Sequence, residues 1–286
     1  MVSLWNEDTE IEFFTKALLD TPSDKIFYNQ RGRSVAYWEK NYNGSKSTLQ
    51  SRNSLIGDFT EKWTVTLLKE YAQSKNLYVI QGVICEEIGL TSASSADAAL
   101  CKTNSRFQRA EDIVAIFEVK MSIVWNWEFD NPRIIKIGDY STHQGNPGLL
   151  RSDSMLKAIG KSINIRVSGE SSRNIPIIVL GNTPITESYY EKVDNLKSYG
   201  IIQGFWSVNP NPRDGFRTIK NTEKFGFIRM DTYDELVINL DSLLDLKMYF
   251  FASMTPKTRL GTIIEESNRE YSVESKAERF IGLLCD

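Results

Sequence analysis

Ile113-Val114-Ala115-Ile116-Phe117-Glu118-Val119-Lys120 is the stretch whose reading decides the fold. Five apolar residues run without a charge, and a carboxylate and an ammonium then follow two positions apart. A run this short, rich in β-branched and aromatic residues, reads as a buried strand. Side chains alternate faces along a strand, so Glu118 and Lys120 share a face and sit roughly 6–7 Å apart along the chain. Charges buried at a strand end are costly unless a metal, a phosphate or solvent meets them.

Upstream, Ser95-Ala96-Asp97-Ala98-Ala99-Leu100-Cys101 reads as a second short strand with one carboxylate near its start. Antiparallel pairing through the polar connection 102–111 brings Asp97 beside Glu118. Two converging carboxylates suit Mg²⁺, which takes few protein ligands and keeps several waters. Lys120 then stabilises charge or helps deprotonate an attacking water, and Asp97, Glu118 and Lys120 together suit metal-assisted phosphodiester hydrolysis. Asp112 also shares a face with Glu118, but six strand residues place it about 20 Å away, too far for shared coordination.

An Asp, a spacer of about twenty residues and then Glu-Val-Lys resembles the PD-(D/E)XK nuclease superfamily, to which most type II restriction endonucleases belong. Ala96 stands where that family often has Pro. A helix carrying a Glu usually precedes the first core strand there. Gly57-Asp58-Phe59-Thr60-Glu61-Lys62-Trp63 opens a helical stretch over 57–75 that fits, so the resemblance makes Glu61 a further candidate. Phe59, Trp63, Leu67 and Tyr71 form the apolar stripe of that helix. Glu61 lies off its centre, either as a solvent-facing residue of the first turn or as a site carboxylate. The resemblance covers roughly residues 55–210. It implies a Mg²⁺-dependent, sequence-specific endonuclease acting on double-stranded DNA, working as a homodimer on a near-palindromic site. A repair or recombination nuclease with the same engine, or a non-catalytic DNA-binding protein on the same fold, are the competing readings.

The rest of the chain supplies the layers. Residues 5–20 read as an amphipathic helix with an acidic first turn, in keeping with the helix dipole. Residues 77–84 read as the first core strand, and 175–181 as the most apolar and central one. Residues 186–199 read as a helix and 201–208 as another strand. The order predicts an α/β domain with a mixed central sheet flanked by helices, extended by helical N- and C-terminal segments. The expected divisions are 1–54, an N-terminal helix and polar arm; 55–210, the nuclease core; and 211–286, a mainly helical segment packing on the core or making dimer contacts. Within the last, 231–254 reads as one long Leu-rich helix and 274–284 as a closing helix.

Cations outside the strand motif are candidates for DNA contact. Residues 25–54 carry Arg31, Arg33 and Arg52 among Tyr28, Tyr37, Trp38 and Tyr42. This is either an arm clamping DNA, with cations on phosphates, or a linker whose aromatics dock on the core. Residues 129–148 read as a long loop, a groove wall or a surface excursion, containing His143 as a DNA contact or as a surface or structural loop residue. In the helix after Ser152, Met155, Leu156, Ile159, Ile163 and Val167 lie near one face, leaving Lys157, Lys161 and Arg166 to track a phosphate backbone or to be solvated. Asp153 suits that helix's N-cap better than a metal site.

Composition narrows the classes further. A net charge of −3 confines any nucleic-acid surface to a local basic patch. One histidine excludes His-rich zinc sites and His-Asn-His nucleases and disfavours a Ser-His-Asp triad. No Walker A or G-x-G-x-x-G fingerprint occurs. Three cysteines show no metal-ligand spacing, and with an acidic N-terminus lacking a signal-peptide pattern they lead us to expect a cytoplasmic protein. No apolar run reaches the length of a membrane span, so no membrane partner is expected.

Overall fold

The computed structural model describes residues 3–245 and 257–285. Asn6 caps the first helix by accepting the Thr9 amide, and Glu7, Asp8 and Glu10 fill the positive end of its dipole. This helix, α1 (Glu7–Asp20), is followed by one turn, α2 (Ser23–Ile26), and a short hairpin, β1 (Tyr28–Gln30) and β2 (Arg33–Val35). The hairpin turns on Arg31 (φ 55°) and Gly32 (φ 83°), consecutive left-handed residues that match the twist of paired strands. α3 (Gln50–Ser74) begins seven residues before the expected position 57.

Then come β3 (Tyr78–Val83), β4 (Ala96–Cys101) and β5 (Ile113–Lys120), followed by a second hairpin, β6 (Asn126–Asp130) and β7 (Arg133–Gly138). α4 (Ser152–Ser168), β8 (Ile177–Gly181), α5 (Tyr190–Ser198), β9 (Gly204–Ser207), β10 (Phe227–Arg229) and α6 (Tyr233–Leu244) complete the first compact unit, residues 1–246. A six-stranded sheet has the order β10-β9-β8-β5-β4-β3. β3, β4 and β5 are antiparallel, whereas β5, β8, β9 and β10 run parallel. A four-stranded antiparallel sheet, β1-β2-β6-β7, stands beside it. The fold is α/β with a mixed sheet, and β5 is the strand at which the sheet changes sense.

Alternation along β5 divides the core. Ala115, Phe117 and Val119 join Trp5, Phe13, Phe14, Leu67, Leu68, Leu180, Trp206 and Leu240 on the side of α1, α3 and α6. Ile116 packs with Ile165 of α4, Ile177 and Ala99 on the opposite side. Glu118 and Lys120 follow the parity of Ile116 and leave the sheet toward α4. The second unit, residues 247–286, contains α7 (Lys257–Ser267) and α8 (Val273–Cys285). Within it Arg259 Nη2 donates to Leu283 O at 3.3 Å. Among the described residues no helix is long and apolar enough to cross a membrane.

Several expectations change. α6 opens at Thr232, whose hydroxyl caps the Glu235 amide, and ends at Leu244; residues 246–254 of the expected helix lie outside the described residues. The expected loop 129–148 instead begins as the β6–β7 hairpin, because Trp127, Phe129 and Ile134 supply the period-two apolar pattern that docks it on the core. On α4 the buried face is Met155, Ala158, Ser162, Ile165 and Arg166. Leu156 (62 %), Ile163 (42 %) and Val167 (75 %) are exposed. Small Ala158 and Ser162 let the helix approach the sheet closely, and that contact outweighs the more apolar stripe. Asp153 does not cap α4; Arg151 occupies the N-cap position, and Asp153 pairs with Lys157 at 3.0 Å.

A carboxylate is buried in the main core. Glu10 is fully inaccessible and accepts from Trp5 Nε1 (3.1 Å), Val124 N (2.6 Å), Trp125 N (3.3 Å) and Trp127 Nε1 (2.7 Å). It ties α1 to the segment between β5 and β6. Burial pushes its carboxyl up to about 8, against the pull of those donors.

Candidate functional site

Antiparallel pairing of β4 and β5 matches Ala98 with Phe117, Ala99 with Ile116 and Leu100 with Ala115. One step beyond that ladder, Asp97 meets Glu118 on the α4 face. Asp97 Oδ2 accepts the Val119 amide at 2.8 Å, so the carboxylate takes the place of the next backbone acceptor. Lys120 Nζ donates to Glu118 Oε1 at 2.6 Å, to the Val119 carbonyl at 3.0 Å and to Asp97 Oδ2 at 3.4 Å. The sequence-derived trio Asp97, Glu118 and Lys120 is therefore in mutual contact.

A fourth member comes from α4. Lys161 Nζ lies 2.9 Å from Asp97 Oδ1 and 2.6 Å from Glu118 Oε2. Lys161 shares the inward face of α4 with Ala158 and Ile165, which explains why it points at the sheet. Each ammonium thus touches both carboxylates, and each of the four carboxylate oxygens holds an ammonium. Burial raises the Glu118 carboxyl above its ordinary value and the Asp97 charge adds to this, while Lys120 and Lys161 pull it back. Burial alone would lower Lys161, but the charges of Asp97 and Glu118 hold its ammonium above the ordinary lysine value.

Glu61 stands at the side of this cluster. Its Oε2 accepts from Gln81 Nε2 at 2.9 Å, and Gln81 pairs with Ala98 on the neighbouring strand. Burial raises the Glu61 carboxyl; Gln81 lowers it, Asp97 raises it and Lys161 lowers it. Glu61 thus feels the field of the site through space while its hydrogen bond goes to Gln81. The exit of β5 is braced from the other side. Asn182 accepts from Ser122 N at 3.2 Å and donates to Ser122 O at 2.7 Å. Gly148, at φ 53°, leaves no room for a Cβ, which would fall 2.9 Å from Thr183 Oγ1 and 3.2 Å from the Lys120 carbonyl.

The donor set fits a hard divalent cation sparingly served by protein. Among the described residues no group of three or more His, Cys, Asp or Glu side chains is placed to hold a metal. Asp97, Glu118 and the Val119 carbonyl, whose oxygens already surround one ammonium, supply the one or two carboxylates that Mg²⁺ uses beside water and phosphate.

The other predicted DNA contacts are dispersed. Arg31 is exposed at the hairpin turn, and Lys157 is exposed with Asp153 as its partner. Arg33 binds Glu128 through two nitrogens at 2.9 and 2.8 Å and Glu39 at 2.7 Å. Arg52 is not available to a phosphate: it is buried, donates to the Ile26 and Ala36 carbonyls, and lies over the Tyr28 and Tyr37 rings. His143 is likewise buried, stacked on Tyr37 at 4.0 Å, with its ring nitrogens facing the Gln144 and Val124 carbonyls. Trp38 stacks between Tyr28 and Tyr42, each at 4.5 Å. Residues 25–54 therefore dock their aromatics on the core. Arg166 is buried too, spending its donors on the Ile175 and Ile201 carbonyls and on Gln203.

In the sequence Lys161 reads as tracking a phosphate backbone or as solvated, and Gln81 was overlooked. The signal for Lys161 was its three-residue spacing from Ala158 and four from Ile165, which puts it on the sheet-facing side of α4. Compared with family models, curated proteins and solved structures, the chain matches none.

Proposed function

We propose that this protein is a Mg²⁺-dependent endonuclease that hydrolyses phosphodiester bonds in double-stranded DNA, similar in its engine to the PD-(D/E)XK nucleases and type II restriction enzymes. The observation that carries this reading is the convergence of Asp97 and Glu118 from adjacent antiparallel strands, with Lys120 bridging both at 3.4 and 2.6 Å. Two carboxylates of one site that share neighbouring cations are suited to holding charge, and an ammonium two residues on is suited to meeting a phosphate.

In this reading Asp97, Glu118 and the Val119 carbonyl hold the cation. Mg²⁺, when bound, supplies Lewis-acid charge neutralisation and a more acidic water. Lys120 donates to a non-bridging phosphate oxygen as negative charge builds there. Water adds to phosphorus and gives up one proton to solvent, one P–O ester bond breaks, and the departing oxygen takes up one proton from solvent. Glu61, with its raised carboxyl held by Gln81, orients water at the edge of the site. One such site in each chain calls for two chains to cut both strands, so the proposal includes a homodimer.

The test is cleavage of supercoiled plasmid and of genomic DNA by the full chain in Mg²⁺, in Ca²⁺ and in chelator. Discrete fragments in Mg²⁺, and none with Asp97→Asn or Glu118→Gln, support the reading. Mg²⁺-independent cutting, or cutting that survives both substitutions, overturns it. An uncut plasmid, with both substitutions lowering only stability, would mark the cluster as a structural ion-pair network.

A further inference from the structure

We propose that Lys161 is an internal counter-cation that competes with the divalent metal for Asp97 and Glu118, and so couples metal loading to the arrival of the DNA phosphate. The inference rests on the nuclease reading above and adds a regulatory element to its site.

All four carboxylate oxygens of the cluster are already occupied. Lys161 holds Asp97 Oδ1 and Glu118 Oε2, while Lys120 holds Asp97 Oδ2, Glu118 Oε1 and the Val119 carbonyl. The two ammoniums already balance the two carboxylates. A divalent ion joining this set meets two positive charges within a few ångströms, and its affinity is reduced accordingly. Lys120 belongs to the sheet and is tied to it by the Val119 carbonyl. Among the described residues Lys161 has no such tie: its two partners are the carboxylates themselves. Its ammonium is delivered by α4 on four rotatable bonds, with the side chain 19 % exposed, so it can swing outward while the helix stays packed.

A phosphate entering the site offers Lys161 a new anionic partner and releases both carboxylates. Metal and DNA then each strengthen the binding of the other by the same factor, as linkage requires. Without DNA the site stays closed on Lys161 and takes up metal poorly. Lys161 acts through the carboxylates and is thus a positioning residue.

The experiment titrates the full-length protein with Mn²⁺ alone, without DNA, and reads free Mn²⁺ by electron paramagnetic resonance. Lys161→Met and Lys161→Gln remove the charge, and Gln retains a donor should Met disturb packing. Lys161→Arg keeps the charge. Both neutral variants are expected to bind Mn²⁺ about tenfold or more tightly than wild type, and Lys161→Arg to stay within about twofold. Neutral variants that bind with wild-type affinity or more weakly, while wild-type binding is still abolished by Asp97→Asn, overturn this inference and leave the nuclease reading standing. Mn²⁺ binding that ignores Asp97→Asn in every protein overturns both.

Discussion

The backbone N–H of Val119 donates to Asp97 Oδ2 at 2.8 Å, at the point where the β4–β5 ladder stops pairing backbone with backbone. Asp97 thus has two duties, as a charge in the site and as the acceptor that finishes the strand. The two are separable. Asp97→Asn retains an oxygen for Val119, and we expect its cleavage to fall at least about 100-fold with its unfolding midpoint nearly unchanged. Asp97→Ala should lose the same activity and about 1–2 kcal/mol of stability besides, because a buried amide is left unpaired. Plasmid cleavage and urea unfolding of both variants measure the difference.

Glu118 makes the cleavage rate depend on pH. Its carboxyl is raised by burial and then by Asp97, and only its ionised form can hold a cation. The rate at subsaturating Mg²⁺ should therefore climb with pH, with its half-rise above the ordinary glutamate value of about 4.3. Single-turnover rates between pH 4.5 and 8 check this, and a half-rise below that value would contradict it.

Asp194 is a stability element away from the site. It accepts from Thr222 Oγ1 (2.5 Å), Lys224 N (3.0 Å) and Gly226 N (2.7 Å), closing the turn before β10. Burial pushes its carboxyl up, but those donors prevail and hold it below the ordinary aspartate value. A depressed carboxyl contributes stability above the unfolded-state pKa and loses it as pH falls through the folded one. Asp194→Asn should cost about 2–3 kcal/mol at pH 7. That penalty should shrink below about pH 4, as urea unfolding across pH will show.

Glu10 has the opposite sign. Its carboxyl is pushed up to about 8, so the stability linked to its proton is fully present below the ordinary glutamate range and is lost as pH rises through about 8. Wild type should weaken between about pH 5 and 8 by an amount that Glu10→Gln lacks. Cleavage per folded molecule should not change.

The strands around the site were legible because their signals are local. Residues 113–120 announce themselves by an apolar run that ends in charges and 96–101 by one that starts beside a carboxylate, and antiparallel pairing then places Asp97 and Glu118 together. Lys161 was obscured because α4 carries two overlapping stripes, and the winning one contains Ala158 and Ser162 in place of Leu156 and Ile163. The burial of Arg52 and His143 was not legible because it depends on distant partners, the Ile26 and Ala36 carbonyls for one and Tyr37 and Val124 for the other. A window of neighbouring residues contains none of that information.

The β4–β5 ladder carries a bulge between Leu100 and Cys101, on the side of the ladder away from Asp97. The apposition of Asp97 and Glu118 is thus set by the rungs from Ala98 to Leu100 alone, and the bulge absorbs any mismatch in how the chain returns from 102 to 112. The connection is free to lengthen, shorten or change its chemistry over generations without moving the two carboxylates. A single deletion between Ala98 and Leu100 would instead turn Asp97 to the opposite face of the sheet. The site is tolerant in the stretch joining its two strands and intolerant within three residues, and mutational drift would leave its mark accordingly.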